Sequence, residues 1–352
     1  MTTIPNDAEE LTPEWFSEVL EAEITGAEVI DAHTGTTGRA KVRLTSTADV
    51  PETVFLKLQP FTPEQREFVA MVGMGVSESR LYAQAGDDLP VRIPKVWHSD
   101  YNADDNTFIM VLEDLDASGC RFTSAEDDDV LDTAHAVMDE LAVLHAAYWN
   151  SDLSWLKAPA GMRNNKQGDK VVTQALGFMQ SAVDQFADEL PPAFRELSEF
   201  CMARFGDVNG LYREGVRTLV HGDTHIGNMF IDADGRLGLY DWAVTSALPG
   251  MRDIAYFLTN SIPTELRREN EQALIARYCA GLAERGVDFD TTAAWEQYRL
   301  FSIYSWSGCT ATASVGSRWQ PFEIAHKAMV RTTAAIDDLD SLGLLVDRLG
   351  AR

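Results

Sequence analysis

Positively charged residues are scarce in this chain of 352 residues. Lys and Arg together number 29, against 55 Asp and Glu, which gives a formal net charge of −26 at pH 7. Proteins that bind nucleic acid need a surplus of basic side chains to neutralise phosphates, so this balance argues against a nucleic-acid partner. It argues equally against adsorption to an anionic membrane surface.

Long apolar runs are missing as well. No stretch approaches the roughly 18 consecutive apolar residues that a membrane-spanning helix needs. The segment Met1–Glu10 is polar and acidic, unlike a secretory signal or an Arg-rich transit peptide. Since 45% of the residues are hydrophobic and 24% are charged, as in packed globular proteins, we expect a soluble cytoplasmic protein.

Cysteine is also rare, and its spacing argues against two kinds of site. The four cysteines stand far apart without a C-x-x-C pair, and the seven histidines form no H-E-x-x-H motif. In a chain of this size such cysteines are typical of reduced core residues rather than of a disulfide framework or a zinc site. The cysteines are Cys120, Cys201, Cys279 and Cys309.

The first part of the chain combines strand-like alternation with helical periodicity. Apolar and polar residues alternate over Ala40–Leu44 and Val54–Leu58, which predicts two antiparallel strands joined by a turn over 46–52. A helix is predicted over 63–84 and a third strand over 107–112. This part is therefore expected to be of mixed α/β structure.

The remainder is mainly helical, with one short β element. A strand is predicted over Val216–Val220, and Asp234-Gly235 is a strong turn signal between Met229–Asp232 and Leu237–Tyr240, which predicts a hairpin. Helical spacing of apolar residues predicts helices near 130–148, 170–188, 192–205, 265–285, 292–312 and 321–340.

The predicted hairpin carries the main polar motif of the chain. The segment His221-Gly-Asp-Thr-His-Ile-Gly-Asn228 precedes its first strand, and Asp241 follows its second. Because a hairpin holds its two ends side by side, we expect Asn228 and Asp241 to flank one point, with Asp223 beside them. Carboxylate and amide oxygens are the ligands that Mg²⁺ prefers. Asp223 and Asn228 also have the D-x-x-x-x-N spacing of kinase catalytic loops, in which the Asp accepts a proton and the Asn binds metal.

A lysine and a glycine-bearing turn complement this motif. Lys57 lies mid-strand, where a buried ammonium would be costly without a partner, so phosphate contact and pairing with a helix glutamate are its expected roles. Glu67 and Glu78 both lie on the helix that follows. The short turn Thr34-Gly-Thr-Thr-Gly-Arg39, which contains Gly35 and Gly38, leads into the first strand, where its backbone N–H groups can face phosphate oxygens.

On these motifs the chain resembles the aminoglycoside phosphotransferase and choline kinase superfamily of protein-kinase-like small-molecule kinases, and within it the ecdysteroid-kinase-like branch. The H-G-D-x-H-x-x-N block is the specific match, and the matches run from about residue 34 to residue 258. Supporting matches are Glu78-Ser-Arg-Leu-Tyr82, Val111-Leu-Glu-Asp-Leu115, Leu141-Ala-Val-Leu-His-Ala146, Leu239-Tyr-Asp-Trp242 and Arg252-Asp-Ile-Ala-Tyr256.

The resemblance implies a fold and a reaction. The fold is α+β and bilobal, with a small β-rich N-lobe over 1–115 and a large, mainly helical C-lobe over 116–352 that has a helical insert before the catalytic loop. The implied reaction moves the γ-phosphate of ATP, with Mg²⁺, to a hydroxyl of a small molecule. We expect no nucleic-acid or membrane partner.

The resemblance also implies roles for the candidate catalytic residues. Asp223 would be the base, and Lys57 would pair with Glu78 rather than with Glu67. Asn228 and Asp241 would bind the metal. The alternative for the catalytic-loop Asp and Asn residues is that they serve as turn or cap residues. For Lys57 the alternative is an edge-strand lysine with a solvated ammonium.

The nucleotide contacts implied by the resemblance lie in the N-lobe. Backbone groups of Glu113 to Leu115 would face adenine, and Gly35, Gly38 and Lys57 would face phosphate. In the C-lobe, the two histidines of the H-G-D-x-H block would be architectural. The Asp-Phe-Gly of protein kinases is Asp-Trp-Ala in this chain, which agrees with the small-molecule branch.

Two spacings argue against a protein substrate. About 70 residues of mainly helical pattern separate His145 from His221, and long inserts of this kind line functional sites. Asp241 and Asp253 are separated by only eleven residues, which leaves little room for an activation loop. We infer that the insert and the helix over 292–320 wall a cleft for a small acceptor.

The identity of the acceptor stays open at this point. Aminoglycosides and choline are cationic, whereas the ecdysteroid-like branch suggests a bulky apolar alcohol. Aromatic side chains can stack on either kind of acceptor, although most such residues are simply core; the candidates are Trp149, Trp242, Trp295, Tyr304, Trp306 and Trp319. A nucleotide-binding pseudokinase and a protein Ser/Thr kinase are the alternative functions.

Overall fold

The chain is of mixed α+β class, as expected, and divides into two compact units. The first comprises Met1–Phe122 with Phe230–Thr245, and the second comprises Thr123–Met229 with Ser246–Arg352. None of the helices that the structure describes is long and apolar enough to cross a membrane. The structure is a computed structural model, and it describes residues 3–156, 162–163 and 166–350.

Five antiparallel strands and three helices make up most of the first unit. The strands are β1 (Ile24–Thr34), β2 (Gly38–Ser46), β3 (Thr53–Leu58), β4 (Val96–Asn102) and β5 (Thr107–Glu113). The helices are α1 (Pro13–Leu20), α2 (Pro63–Val72) and α3 (Met74–Ala85). The strand order in the sheet is β1-β2-β3-β5-β4. The three strands predicted in this region are confirmed as β2, β3 and β5.

Strand alternation separates a core face of this sheet from a polar face. Apolar side chains of the core face pack with Trp15 and Phe16 of α1. On β2 and β3 these side chains are Ala40, Val42, Leu44, Val54, Leu56 and Leu58. The opposite face carries Lys57, which lies directly across from Arg39 in the β2–β3 register.

The helix predicted over 63–84 is instead two helices, because the chain turns at Gly73. This glycine has φ +78°, a left-handed conformation that side chains disfavour, and its N–H caps α2 by donating to the Val69 carbonyl. The break separates two glutamates that one helix was expected to carry. Glu67 is exposed on α2, whereas Glu78 is fully buried on α3.

The predicted hairpin is confirmed as part of a second sheet. Its strands are β6 (Arg121–Phe122), β8 (Met229–Ile231) and β9 (Leu237–Leu239), in the order β6-β8-β9. Because β6 pairs with β8 and Arg92 bridges to Gly238, most of the hairpin packs into the first unit. The sequence predicts a division into 1–115 and 116–352. The compact units instead separate after Phe122, and most of the hairpin belongs to the first unit.

The second unit is mainly helical, as expected. Its helices are α4 (Val130–Ala147), α5 (Lys166–Phe186), α6 (Pro192–Ala203), α7 (Phe205–Leu211), α8 (Met251–Ser261), α9 (Thr264–Ala283), α10 (Thr291–Ser314), α11 (Phe322–Asp338) and α12 (Ser341–Leu349). Two strands, β7 (Thr218–Val220) and β10 (Ser246–Leu248), pair antiparallel. Helix α8 is buried over most of its length and is therefore the core helix of this unit.

Candidate active site

Lys57 is the centre of a buried charge cluster in the first unit. Only 4% of the residue is exposed. Its Nζ donates to Glu78 Oε2 at 2.5 Å and to Asp241 Oδ1 at 2.8 Å. The predicted pairing of Lys57 with Glu78 is confirmed, and the alternative of an edge lysine with a solvated ammonium is wrong.

The cluster keeps Lys57 charged in spite of its burial. Burial alone would lower the pKa of the Lys57 ammonium, but the carboxylates of Asp241 and Glu78 raise that pKa above its ordinary value. Burial raises the pKa of the Glu78 carboxyl, and the nearby ammonium opposes this effect. The charge of the ammonium therefore depends on the two carboxylates, and the charge of Glu78 depends on the ammonium.

Glu78 connects Lys57 to the segment that follows the hairpin. Its Oε1 accepts the backbone N–H of Trp242 at 3.1 Å and the hydroxyl of Tyr82 at 3.4 Å. The Glu78 carboxylate thus orients Lys57 through Oε2 and holds the backbone of Trp242, next to Asp241, through Oε1. The side chain of Trp242 is fully buried, so it belongs to the core rather than to a stacking surface.

Asp241 adopts a backbone conformation that is uncommon for a residue with a side chain. Its φ is +65°, in the left-handed region, where a non-glycine residue costs about 1–3 kcal/mol. Its carboxylate is bound by Lys57 and lies 3.7 Å (Oδ2) from Nη2 of Arg39. Such conformations persist where surrounding contacts hold them, and they cluster at functional sites.

The glycine turn between β1 and β2 has a packing role at one of its two glycines. A Cβ on Gly38 would lie 2.2 Å from the carbonyl oxygen of Gln59, so no side chain fits there. Gly35 donates its N–H to the Thr37 carbonyl at 3.0 Å, which closes the turn. Phosphate contact by this turn stays a prediction.

The segment predicted to face adenine is partly occupied by internal hydrogen bonds. The N–H of Glu113 donates to the Lys95 carbonyl at 2.8 Å, and its carboxylate accepts two bonds from Arg92 at 2.8 and 2.9 Å. The Leu115 carbonyl accepts the N–H of Cys120 at 3.0 Å, whereas the Leu115 N–H donates to none of the described residues. Of these groups, the Leu115 N–H fits the predicted adenine contact best.

The second unit contains the residues that the sequence predicts to form the catalytic loop. Nδ2 of Asn228 donates to the Asp223 backbone oxygen at 2.9 Å and to Asp223 Oδ2 at 3.3 Å. Nε2 of His225 lies 3.8 Å from the same carboxylate oxygen. Burial, together with the nearby Asp223 carboxylate, raises the pKa of the Tyr256 hydroxyl on α8 well above its usual value.

These contacts bear on the alternative that the loop residues are only caps. The short 3₁₀ turn Ile226–Asn228 begins after His225, whose side chain does not cap it, and the N–H of Ile226 donates to Ser261 Oγ at 2.8 Å. Asp223 is therefore not used as the cap of this turn. Its carboxylate instead accepts a hydrogen bond from the Asn228 amide of the same loop.

Asp253, at the first turn of α8, fixes the backbone that precedes Asp223. Its Oδ2 accepts the N–H of His221 at 2.7 Å, and its Oδ1 accepts the N–H of Gly222 at 2.8 Å. Burial would raise the pKa of the Asp253 carboxyl, but the hydrogen bond and charge of His145 and the nearby cations hold it below its ordinary value. A buried, ionised Asp253 thus acts as an anchor for the loop.

Neighbours of Asp253 complete this anchor. His145 is fully buried between Asp253 Oδ2 at 3.3 Å and the hydroxyl of Tyr278 at 2.9 Å, so it is a core histidine. Nη2 of Arg252 donates to the Gly222 carbonyl at 3.2 Å, and the guanidinium carbon lies 4.4 Å above the ring of Tyr304. Both the N–H and the carbonyl oxygen of Gly222 are therefore hydrogen-bonded to side chains of α8.

The donor atoms suit a magnesium ion bound together with phosphate. Because Asn228 donates through Nδ2, its amide oxygen is the atom that can bind a cation. Among the described residues no group of three or more His, Cys, Asp or Glu side chains could hold a metal. Mg²⁺ in nucleotide sites usually takes one or two protein oxygens and completes its shell with phosphate and water, which fits this set. Asn228 and Asp241 belong to different compact units, so their shared metal stays a prediction.

Sequence reasoning missed three side chains of this region. Arg39 follows the glycine turn, and only the strand register shows that it lies across from Lys57. The anchoring role of Asp253 and the contact of Tyr256 with Asp223 depend on residues about 30 positions apart. The spacing of Asp253 and Tyr256, three residues on one helix, was the available signal.

Solved structures that resemble this chain include small-molecule kinases. The choline kinase LicA of Streptococcus pneumoniae is 14% identical, with a TM-score of 0.53, over 95% of this chain and 99% of that chain. An ethanolamine kinase of Plasmodium vivax is 13% identical, with a TM-score of 0.57, over 95% and 86%. Aminoglycoside 2'-phosphotransferase IIIa is 13% identical, with a TM-score of 0.50, over 96% and 97%. At these identities the likeness establishes the fold, which is that of the protein-kinase-like small-molecule kinases.

Two further comparisons concern sequence alone. No protein of curated function matches the chain. The profile of the ecdysteroid kinase-like family matches residues 30–287, which is most of the chain and includes Lys57, Glu78, Asp223, Asn228 and Asp241. The chain therefore belongs to the ecdysteroid kinase-like family.

Proposed function

We propose that the protein is an ATP-dependent phosphotransferase that moves the γ-phosphate to a hydroxyl of a small molecule. The observation that carries this proposal is the buried cluster in which Lys57 binds both Glu78 and Asp241. A lysine paired with a helix glutamate is what kinases use to hold the phosphates of ATP. Membership of a kinase-like family and the fold of small-molecule kinases support the same reaction.

In this proposal Asp223 is the general base. The acceptor oxygen attacks the γ-phosphorus, the bond from that phosphorus to the β–γ bridging oxygen breaks, and the hydroxyl proton passes to the Asp223 carboxylate. Asn228 donates a hydrogen bond to this carboxylate and the Tyr256 hydroxyl lies near it, which restricts its rotation. Orientation of this kind lowers the entropy cost of reaching the transition state.

Lys57 holds the phosphates in this proposal, and Glu78 keeps Lys57 extended and charged. Asn228 and Asp241 would hold Mg²⁺, which when bound neutralises charge on the β- and γ-phosphates. ATP is the proposed donor, and its binding has a parallel in the choline kinase LicA, which was solved in complex with AMP. Local cations are needed because the net charge of −26 repels a polyanion.

The acceptor is proposed to be a small alcohol. The names of the similar structures include choline, ethanolamine and aminoglycosides, and the family name points to steroid alcohols. These compounds are a small group of candidate acceptors that can be assayed one by one. The helices α5 to α7, which precede the catalytic loop, and α10 are the proposed acceptor-binding elements.

The proposal is tested by measuring ADP release with ATP and Mg²⁺ over a library of amino alcohols, aminoglycosides, sugars and steroid alcohols. We expect ADP release that depends on one class of alcohol, and a product that carries one added phosphate by mass spectrometry. A Lys57→Ala variant serves as the control and should release no ADP above background. A wild-type chain that binds ATP but phosphorylates only peptides, or nothing at all, contradicts the proposal.

A further inference from the structure

Arg39 is placed beside Lys57 by the register of the sheet. It is the first residue after Gly38 on β2, and it pairs with Lys57 on β3. Residues that pair directly across antiparallel strands point to the same face, with Cβ atoms about 5 Å apart. The side chains of Arg39 and Lys57 therefore leave the sheet on the same side. Arg39 lies immediately after the glycine turn.

The contacts of Arg39 leave most of its hydrogen-bonding capacity unused. Its Nη2 lies 3.7 Å from Asp241 Oδ2, which is longer than a hydrogen bond. Its Nε is buried and has no hydrogen-bond partner among the described residues. A guanidinium carries five N–H donors, and a buried donor without a partner is costly, so this arrangement suits a side chain that binds a ligand.

Other arginines of the first unit lack this feature. Arg43, four positions further along β2 and on the same face, bonds Glu28 at 2.7 Å. Arg92 bonds both carboxylate oxygens of Glu113 at 2.8 and 2.9 Å. Arg39 is thus a poorly paired guanidinium beside a cluster in which Lys57 already binds both Glu78 and Asp241.

The position under the glycine turn indicates what Arg39 binds. Its guanidinium carbon lies 3.7 Å from the place where a Cβ on Gly35 would be. The guanidinium is therefore between the turn and Asp241, and its side chain is 35% exposed. Guanidinium groups bind phosphate through two parallel N–H bonds, which the lysine ammonium cannot do.

We propose that Arg39 is a second phosphate-binding cation, which binds the β- and γ-phosphates of the nucleotide through its guanidinium. This inference rests on the proposed function, because it assumes that the phosphate chain lies against Lys57 and Asp241. It assigns the distal phosphates to Arg39 because Asp241, which it approaches, is the proposed ligand of the metal between them. Arg39 thereby distinguishes di- and triphosphates from monophosphates.

The test is a calorimetric titration of the full chain with AMP, ADP and a non-hydrolysable ATP analogue in the presence of Mg²⁺. For Arg39→Ala we expect the dissociation constants of ADP and the ATP analogue to rise roughly tenfold to hundredfold, while that of AMP stays within about twofold. Arg39→Lys should recover part of the loss. Arg43→Ala, on the same strand and face, should bind all three nucleotides like wild type.

Each other outcome overturns the inference. Unchanged nucleotide affinities in Arg39→Ala, or an equal loss of affinity for AMP and the ATP analogue, would show that Arg39 does not bind the β- and γ-phosphates. If Arg39→Ala fails to fold, Arg39→Gln keeps a polar side chain but removes the guanidinium charge, and the same affinity ratios decide the question. If wild type binds none of the nucleotides, the proposed function itself fails, and the assignment of Arg39 fails with it.

Discussion

The Lys57 ammonium lies 2.5 Å from the Glu78 carboxylate, and neither side chain is more than 5% exposed. The same ammonium binds Asp241 at 2.8 Å, and Arg39 adds a second positive charge beside that carboxylate. Two cations and two carboxylates thus give a local charge near zero in a protein whose net charge is −26. At this cluster a polyanionic nucleotide would encounter hydrogen-bond donors with a local charge near zero, rather than the negative charge of the whole protein.

The first prediction concerns Glu78→Gln. This change leaves Lys57 with a single carboxylate and weakens the bond to the Trp242 N–H, so we expect the free energy of unfolding to fall by about 2 kcal/mol or more. We also expect kcat/KM for ATP to fall at least roughly tenfold, because the ammonium loses its orientation. Urea denaturation and steady-state kinetics measure the two effects.

Glu67→Gln is the matched control for this variant. Glu67 is exposed on α2 and was the alternative partner of Lys57 from the sequence. Its replacement should change stability by no more than about 0.5 kcal/mol and leave the kinetics unaltered. Equal effects of the two substitutions would contradict the role given to Glu78.

The second prediction uses the lowered pKa of Asp253. A carboxyl whose pKa is lower in the folded chain stabilises the fold at pH values above its unfolded-state pKa of about 3.9, and this contribution is lost as pH falls through the native pKa. Asp253→Asn should therefore cost about 3 kcal/mol at pH 7. The difference from wild type should shrink steadily below about pH 4. A pH-independent difference in urea denaturation would show that Asp253 is not ionised in the fold.

The third prediction concerns Tyr256→Phe, which removes the hydroxyl near the Asp223 carboxylate but keeps the ring. We expect kcat to fall about tenfold, because the carboxylate loses a polar neighbour that orients it, while KM for ATP is unchanged. Stability should fall by no more than about 1 kcal/mol. Tyr212→Phe, a buried tyrosine stacked on Phe301 in the same unit, is the control and should keep wild-type kcat.

Much of the site could be predicted because its signals are local in sequence. The hairpin is marked by Asp234-Gly235, and the D-x-x-x-x-N spacing by Asp223 and Asn228. Lys57 stands out because a charged residue interrupts an apolar strand. Each of these features depends on backbone preferences or burial costs that a few neighbouring residues determine.

The parts that were not predicted depend on contacts between distant residues or on a single backbone angle. Gly73 ends α2 through its left-handed conformation, although glycine within a helical pattern is often tolerated. Strand β1 has mostly exposed side chains on both faces, so it lacks the alternation that identified its neighbours. Arg39 acquires its place only through pairing with Lys57 across β2 and β3.

The most direct test of the central claim is the rate of phosphoryl transfer by Asp223→Asn at saturating ATP, with the acceptor that the ADP-release screen identifies. If Asp223 is the base, turnover falls by about 10²–10⁴ while the affinity for ATP stays within about twofold. Asp234→Asn, at the exposed turn of the hairpin that follows this loop, should behave like wild type. Near-normal turnover in Asp223→Asn would contradict the account.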